Sequence, residues 1–234
     1  MVKKNEIIEA SKTYFREKFK KEKFIPGETY IPPSGKLLDA DDCGQLIDAS
    51  LDMWLTAGRF AAQFESTLAR KFGKKISKLT VSGSAANLLA FSTLTSWKLG
   101  ENRLKPGDEV ITVAAGFPTT VAPIIQNGCI PVFVDIDVAT HNVDVKAVEN
   151  AVTLKTRAIM IAHSLGNPFD AIAIQKICKK HDLYLIEDCC DAFGATITMQ
   201  DGTEKAVGTF GEIATLSFYP AHHITMGEGG AVLM

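Results

Sequence analysis

The feature that most constrains this chain is a rhythm of short apolar, β-branched runs at 78–81, 109–113, 131–135, 157–163, 183–188 and 213–218. Most are separated by segments long enough to be helices, such as 84–99 and 171–180. Runs of this kind read as strands, and strands alternating with helices imply a mainly parallel sheet covered on both faces. The expected fold class is therefore α/β, a three-layer α/β/α arrangement. In such sheets ligands bind beyond the carboxyl ends of the strands, and nearly every chemically interesting residue of this chain falls at one of those ends.

Ahead of the rhythm, a charged N-terminal helix and a Pro/Gly-rich connector at 25–35 lead into two helical patterns at 41–55 and 59–72. The expected division is an N-terminal helix and connector at 1–35 and one large domain at 36–234. The Asp201-Gly202 turn marks a small insertion before the last of the six runs. The chain stops at 230–234 inside what reads as a further strand, so a C-terminal portion is expected to be absent.

Composition excludes some classes of function. With 46% apolar residues the chain has material for a substantial core, and a formal net charge of −2 gives no nucleic-acid or anionic-membrane surface. The N-terminus runs into a charged stretch at 16–23 rather than an apolar leader, and no apolar run approaches the ~18 residues of a membrane span. The expectation is a cytoplasmic protein. Five cysteines (43, 129, 178, 189 and 190) lack a zinc spacing, which favours free thiols or a cofactor ligand over disulfides.

Four segments carry chemistry. Val81-Ser82-Gly83-Ser84-Ala85-Ala86-Asn87 follows a strand and opens a helix, a junction whose free N–H groups suit a phosphate, although a plain N-cap explains it too. Gly116-Phe117-Pro118-Thr119-Thr120 follows another strand, where Phe117 is either a core aromatic or a face offered to a ring. Glu187-Asp188-Cys189-Cys190-Asp191-Ala192 ends a very apolar strand, and residues two apart on a strand share a face, so Asp188 and Cys190 are expected to point one way and Cys189 the other. Asn167 and Pro168 follow a strand end and read equally as a turn or as pocket lining.

The fourth segment is Ser217-Phe218-Tyr219-Pro220-Ala221-His222-His223-Ile224-Thr225-Met226-Gly227-Glu228-Gly229-Gly230. It resembles the Schiff-base lysine motif of the DegT/DnrJ/EryC1/StrS sugar aminotransferases with His222 where the lysine belongs, and the four segments fall in that family's order from about Ile31 to Met234. The resemblance implies the aspartate-aminotransferase fold type I, large domain only, with the family's smaller C-terminal domain missing. It places Gly83, Ser84 and Ser217 around a cofactor phosphate, Phe117 on the cofactor ring, Asp188 on the pyridine nitrogen and Asp191 near the ring hydroxyl, where most members carry Gln.

Two departures, Asp191 and His222, resemble the 3-dehydrase branch of the family. A lysine amine binds a pyridoxal aldehyde and moves protons, whereas imidazole moves a proton near neutral pH but forms no stable imine. That branch uses pyridoxamine 5'-phosphate held without a covalent link. The implied activity is C3 dehydration of a nucleotide-linked 4-keto-6-deoxy sugar, specifically CDP-4-keto-6-deoxy-D-glucose, in 3,6-dideoxyhexose biosynthesis for lipopolysaccharide O-antigen, with His222 as base. The resemblance also implies a 2Fe-2S cluster with Cys190 as one ligand and the others beyond Met234, an NADH-dependent iron-sulfur flavoprotein reductase as partner, and a homodimer. Alternatives are a pyridoxal-phosphate aminotransferase using a lysine elsewhere, disfavoured because no lysine lies in 206–234, a GDP-sugar 3-dehydrase without a cluster, and a non-catalytic fragment.

Overall fold

The computed structural model describes residues 2–20, 23–32, 34–35 and 37–234. Lys21 and Glu22 of the charged run, Pro33 of the connector and Lys36 at the expected domain start lie outside the described residues. The chain forms two compact units, 1–64 and 65–234.

The first unit contains α1 (Lys4–Lys18) and α2 (Ala40–Leu51). Asp39 caps α2 by accepting the N–H groups of Asp41 and Asp42. The two helices are joined by exposed ion pairs, Lys12–Asp41 at 2.8 Å and Lys4–Asp52 at 2.7 Å, with Arg59 on Asp48 at 2.8 Å. Pairs of this kind, screened by solvent, contribute little to stability. The helix expected to reach residue 55 ends at Leu51, because Met53 turns into the left-handed region (φ 50°) and Trp54 Nε1 donates to the Ala57 carbonyl at 3.1 Å. The division between units falls within α3 (Arg59–Lys71).

The second unit is built on a seven-stranded sheet. Its strands are β1 (Ser77–Thr80), β2 (Glu109–Val113), β3 (Ile130–Val134), β4 (Thr156–Ala162), β5 (Tyr184–Asp188), β8 (Ile213–Ser217) and β9 (Gly230–Leu233), in the order β1-β9-β8-β5-β4-β2-β3. The pairs β2–β3, β2–β4, β4–β5 and β5–β8 are parallel, and β9 runs antiparallel to both β1 and β8. The expected insertion is a hairpin of β6 (Thr196–Thr198) and β7 (Glu204–Ala206) around Asp201-Gly202.

Alternate residues of the central strands supply two cores. Ile111, Ile159, Ile161 and Leu185 pack with α6 (Val145–Ala151) and α7 (Ala171–His181) on one face. Val110, Ala158, Met160 and Ile186 pack with α4 (Gly83–Leu94) and α5 (Pro118–Gln126) on the other. The period-two geometry of a strand thus gives the expected three layers. The helix expected over 84–99 stops at Leu94, and a 3-10 stretch (Trp97–Asn102) follows in which Gly100 takes φ 58°. Among the described residues no helix is long and apolar enough to cross a membrane.

One buried group ties the sheet to the loop that feeds β8. Glu187, fully buried, accepts four hydrogen bonds: from the N–H groups of Gly208 (2.9 Å), Phe210 (2.8 Å) and Gly211 (2.6 Å) and from His163 Nε2 (3.1 Å). His163 stacks on Phe169 at 4.0 Å, and its Nδ1 accepts the Phe169 N–H, so the ring proton sits on Nε2 and points at the carboxylate. Burial pushes the Glu187 carboxyl up, but His163 and the N–H groups of Gly211 and Gly208 outweigh it and hold the group below its ordinary value. The stabilisation from this group is therefore present above the ordinary carboxylate range and is lost as pH falls through the lower folded value.

Glu187→Ala is expected to orphan these donors and to destabilise the chain by at least about 3 kcal/mol, measured by urea unfolding near neutral pH. The difference from the unsubstituted chain is expected to shrink in acid, and a constant difference would show that the carboxylate is not what holds the loop.

Candidate active site

Strand β1 is antiparallel to β9, and β9 to β8, so the carboxyl ends of β1, β2, β4, β5 and β8 open on one edge of the sheet. The residues singled out from sequence occupy segments at that edge. Asp188 ends β5, Ser217 ends β8, Gly83 and Ser84 open α4 after β1, and Phe117 precedes α5 after β2.

The α4 junction is both an N-cap and an approach point. Ser82 takes the extended conformation and its hydroxyl accepts the Ala85 N–H at 3.1 Å, which leaves the N–H groups of Gly83 and Ser84 without an acceptor among the described residues. A Cβ on Gly83 would lie 2.5 Å from Ser217 Cβ and 2.9 Å from Cys190 Sγ, so only glycine lets α4 start this close to β8. The Ser84 hydroxyl lies 3.1 Å from Thr119 Oγ1. Free N–H groups, hydroxyls and the positive end of a helix dipole form a donor set that fits a phosphate.

Asp188 is 3% exposed and fully engaged on one side. Its Oδ2 accepts from Asn87 Nδ2 at 2.8 Å and Thr120 Oγ1 at 2.7 Å, while Oδ1 accepts the Cys190 N–H at 3.1 Å. β5 ends at Asp188, yet Cys190 turns back toward it as expected, and Cys189 packs the other way, against the position of a Cβ on Gly208 at 3.2 Å. Burial, then the Asp188 carboxylate, pushes the Cys190 thiol far up, and burial does the same to Cys189.

His222 lies in the loop between β8 and β9, partly buried, with Nδ1 3.1 Å from Asp191 Oδ1 and its ring edge-on to Tyr219 at 6.5 Å. With Nδ1 donating to Asp191, Nε2 carries the lone pair. Gly166 (φ 80°) brings a third loop in: a Cβ there would lie 2.7 Å from the Asp191 carbonyl oxygen and 3.9 Å from His223 Cε1. Phe117 is exposed. Asn167 donates its side chain to the Thr140 carbonyl at 3.2 Å and its carbonyl accepts from Asn142 Nδ2 at 3.1 Å, so it ties its turn to the loop after β3.

His163, Glu187 and Cys189 have potential ligand atoms within 4.8 Å of one another. They do not suit a metal, because His163 Nδ1 and both Glu187 oxygens are taken by N–H donors and the Cys189 thiol is held neutral by burial. Nor do the described residues of 65–234 complete an iron–sulfur cluster beside Cys190. Such a cluster takes about four ligands, and within 65–234 Cys129 and Cys178 are buried in the two cores while Cys189 faces away. Sequence reasoning gave no role to Asn87, Thr120 or Thr215, although the first two stand inside segments already quoted.

Residues 37–234 match the model of the DegT/DnrJ/EryC1/StrS aminotransferase family. The lipopolysaccharide biosynthesis protein RfbH of Salmonella typhimurium is 57% identical over 219 residues, which cover 94% of this chain and 49% of that protein. The dTDP-4-dehydro-2,6-dideoxy-D-glucose 3-dehydratase of Saccharopolyspora spinosa is 53% identical over 230 residues, 98% of this chain and 48% of that enzyme. Among solved structures, E coli GDP-4-keto-6-deoxy-D-mannose-3-dehydratase with bound hydrated PLP superposes with a TM-score of 0.79 at 37% identity, covering 87% of this chain and 50% of its own. The chain thus spans about half the length of these relatives. It belongs to the DegT/DnrJ/EryC1/StrS aminotransferase family and has the fold of its PLP-dependent members.

Proposed function

We propose that this chain carries the cofactor-binding half of a pyridoxamine 5'-phosphate-dependent 3-dehydrase acting on a nucleotide-linked 4-keto-6-deoxy sugar. The observation that carries this reading is His222: an imidazole at the family's lysine position, held through Nδ1 by Asp191 at 3.1 Å, with no lysine in 206–234. The relatives whose names specify 3-dehydratases support the reaction class, and their substrates are dTDP- and GDP-linked. CDP-4-keto-6-deoxy-D-glucose is the substrate that the motif resemblance favours for this chain.

When bound, the cofactor supplies an amine for the sugar's 4-keto group and a ring that accepts electrons. The chain's residues do the rest. Gly83 and Ser84, through free N–H groups and a hydroxyl, hold the phosphate with Ser217 beside them. Asp188, buried at the end of β5, presents Oδ1 to the ring nitrogen. Phe117, exposed at the mouth of α5, covers the ring face. His222 would take a proton on Nε2 from the carbon that bears the cofactor's amine and give it to the C3 hydroxyl as its C–O bond breaks, so water leaves and the imidazole ends as it began. Asp191 fixes the tautomer that makes Nε2 the working atom.

Replacing the lost hydroxyl by hydrogen takes two electrons from outside this chain, for which an NADH-dependent iron–sulfur flavoprotein is the proposed partner. A 2Fe-2S cluster held through Cys190 would need three further ligands from outside the chain. A homodimer is the proposed assembly.

Incubation with pyridoxal phosphate and borohydride is expected to leave no reduced lysyl adduct by mass spectrometry, while pyridoxamine phosphate binds tightly. A site-specific lysyl adduct would favour an aminotransferase, and failure to bind either cofactor would favour a non-catalytic role. His222→Asn is expected to lower dehydration by at least about 100-fold with pyridoxamine phosphate affinity retained, followed by loss of the keto sugar in single-turnover assays. Retained dehydration would remove His222 as the base.

A further inference from the structure

The carboxylate at the end of β5 is the terminus of a hydrogen-bonded chain that joins β8 to β5 through α4. The Thr215 hydroxyl, on β8, donates to Asn87 Oδ1 at 2.6 Å; Asn87 Nδ2, on α4, donates to Asp188 Oδ2 at 2.8 Å; and the Thr120 hydroxyl, on α5, donates to the same oxygen at 2.7 Å. All four residues are at least 97% buried. Asn87 is a polar side chain on a helix whose other buried residues are Gly83, Ala86, Ala90, Phe91 and Leu94. Burying an amide there is costly unless its hydrogen bonds are made.

An amide has two orientations that differ by exchange of oxygen and nitrogen. In one, the NH2 faces Asp188 and the carbonyl faces Thr215. In the other, a carbonyl oxygen meets a carboxylate oxygen. Thr215 supports the first by offering a proton to the carbonyl end. With two donors fixed on Oδ2, the carboxylate plane is set and Oδ1, which accepts the Cys190 N–H, is the oxygen that faces a further donor.

We infer that Asn87, oriented by Thr215, is a positioning residue that sets Asp188 for the cofactor's ring nitrogen. The inference rests on the assignment of Asp188 made above. It predicts a dependence that a packing role lacks: Asn87 matters through Asp188, so its effect disappears when that carboxylate is gone.

The test is a double-mutant cycle in the 234-residue chain, reading pyridoxamine phosphate affinity by titration and the pH dependence of the bound cofactor's absorption band. Asn87→Ala is expected to weaken binding by about tenfold and to shift the pH at which the band changes, but to change affinity by less than about twofold in an Asp188→Asn background. Thr215→Val, close in volume, is expected to move both readouts in the same direction by less, and guards against misfolding of the Asn87 variant. An Asn87→Ala loss undiminished in the Asp188→Asn background, or unchanged readouts in Thr215→Val and Asn87→Ala, would overturn the inference and leave the Asp188 assignment standing. Full affinity in Asp188→Asn alone would overturn both.

Discussion

The structure depends on two adjacent buried carboxylates, Glu187 and Asp188, at the end of one strand. Because successive side chains on a strand point to opposite faces, neither competes for the other's partners. Glu187 collects three backbone N–H groups and a histidine and so fixes the loop into β8. Asp188 collects Asn87, Thr120 and the Cys190 N–H and so fixes the edge where the parallel strands end. Two uncompensated charges at this depth would be prohibitive, and the density of donors around them is what makes the arrangement stable.

That pairing divides labour between the two faces. The face carrying His163, Glu187 and Cys189 is closed, with its polar atoms satisfied by the chain itself. The opposite side keeps N–H groups at Gly83 and Ser84 and one imidazole nitrogen of His222 open. Saturated polar groups make a scaffold, and unsatisfied ones make a site for a ligand.

Much of this was legible in the sequence. The six runs appear as strands within one residue of their expected ends, and the central ones, buried on both faces, leave the densest apolar signature. Helix ends were read less well: the patterns over 41–55 and 84–99 both continue past the true stops at Leu51 and Leu94, where Met53 and Ser96 leave helical geometry without a strong breaker at the terminus itself. The positions of Gly83, Asp188 and Ser217 beside the strand ends, and of His222 in the loop after β8, followed from motif order. The partners of those residues did not. Asn87, Thr120 and Thr215 lie up to 128 residues apart and meet only because β8, β5, α4 and α5 converge, and no local spacing encodes that. The pairing of Asp191 with His222 was likewise invisible until the two loops were brought together.

The antiparallel strand β9 has a consequence for how the molecule is made. Among the described residues it is the one strand paired with β1, and the pairing of Thr80 with Gly230 joins residues 150 positions apart. Gly230 also packs against Ser82 and Gly83, where a side chain would collide with the backbone. During synthesis β1 therefore waits, unpaired, until β9 has emerged, and the start of α4 acquires its final surroundings only then. Contacts of such long range slow folding, so the corner at the start of α4 is expected to form only after β9 has been made.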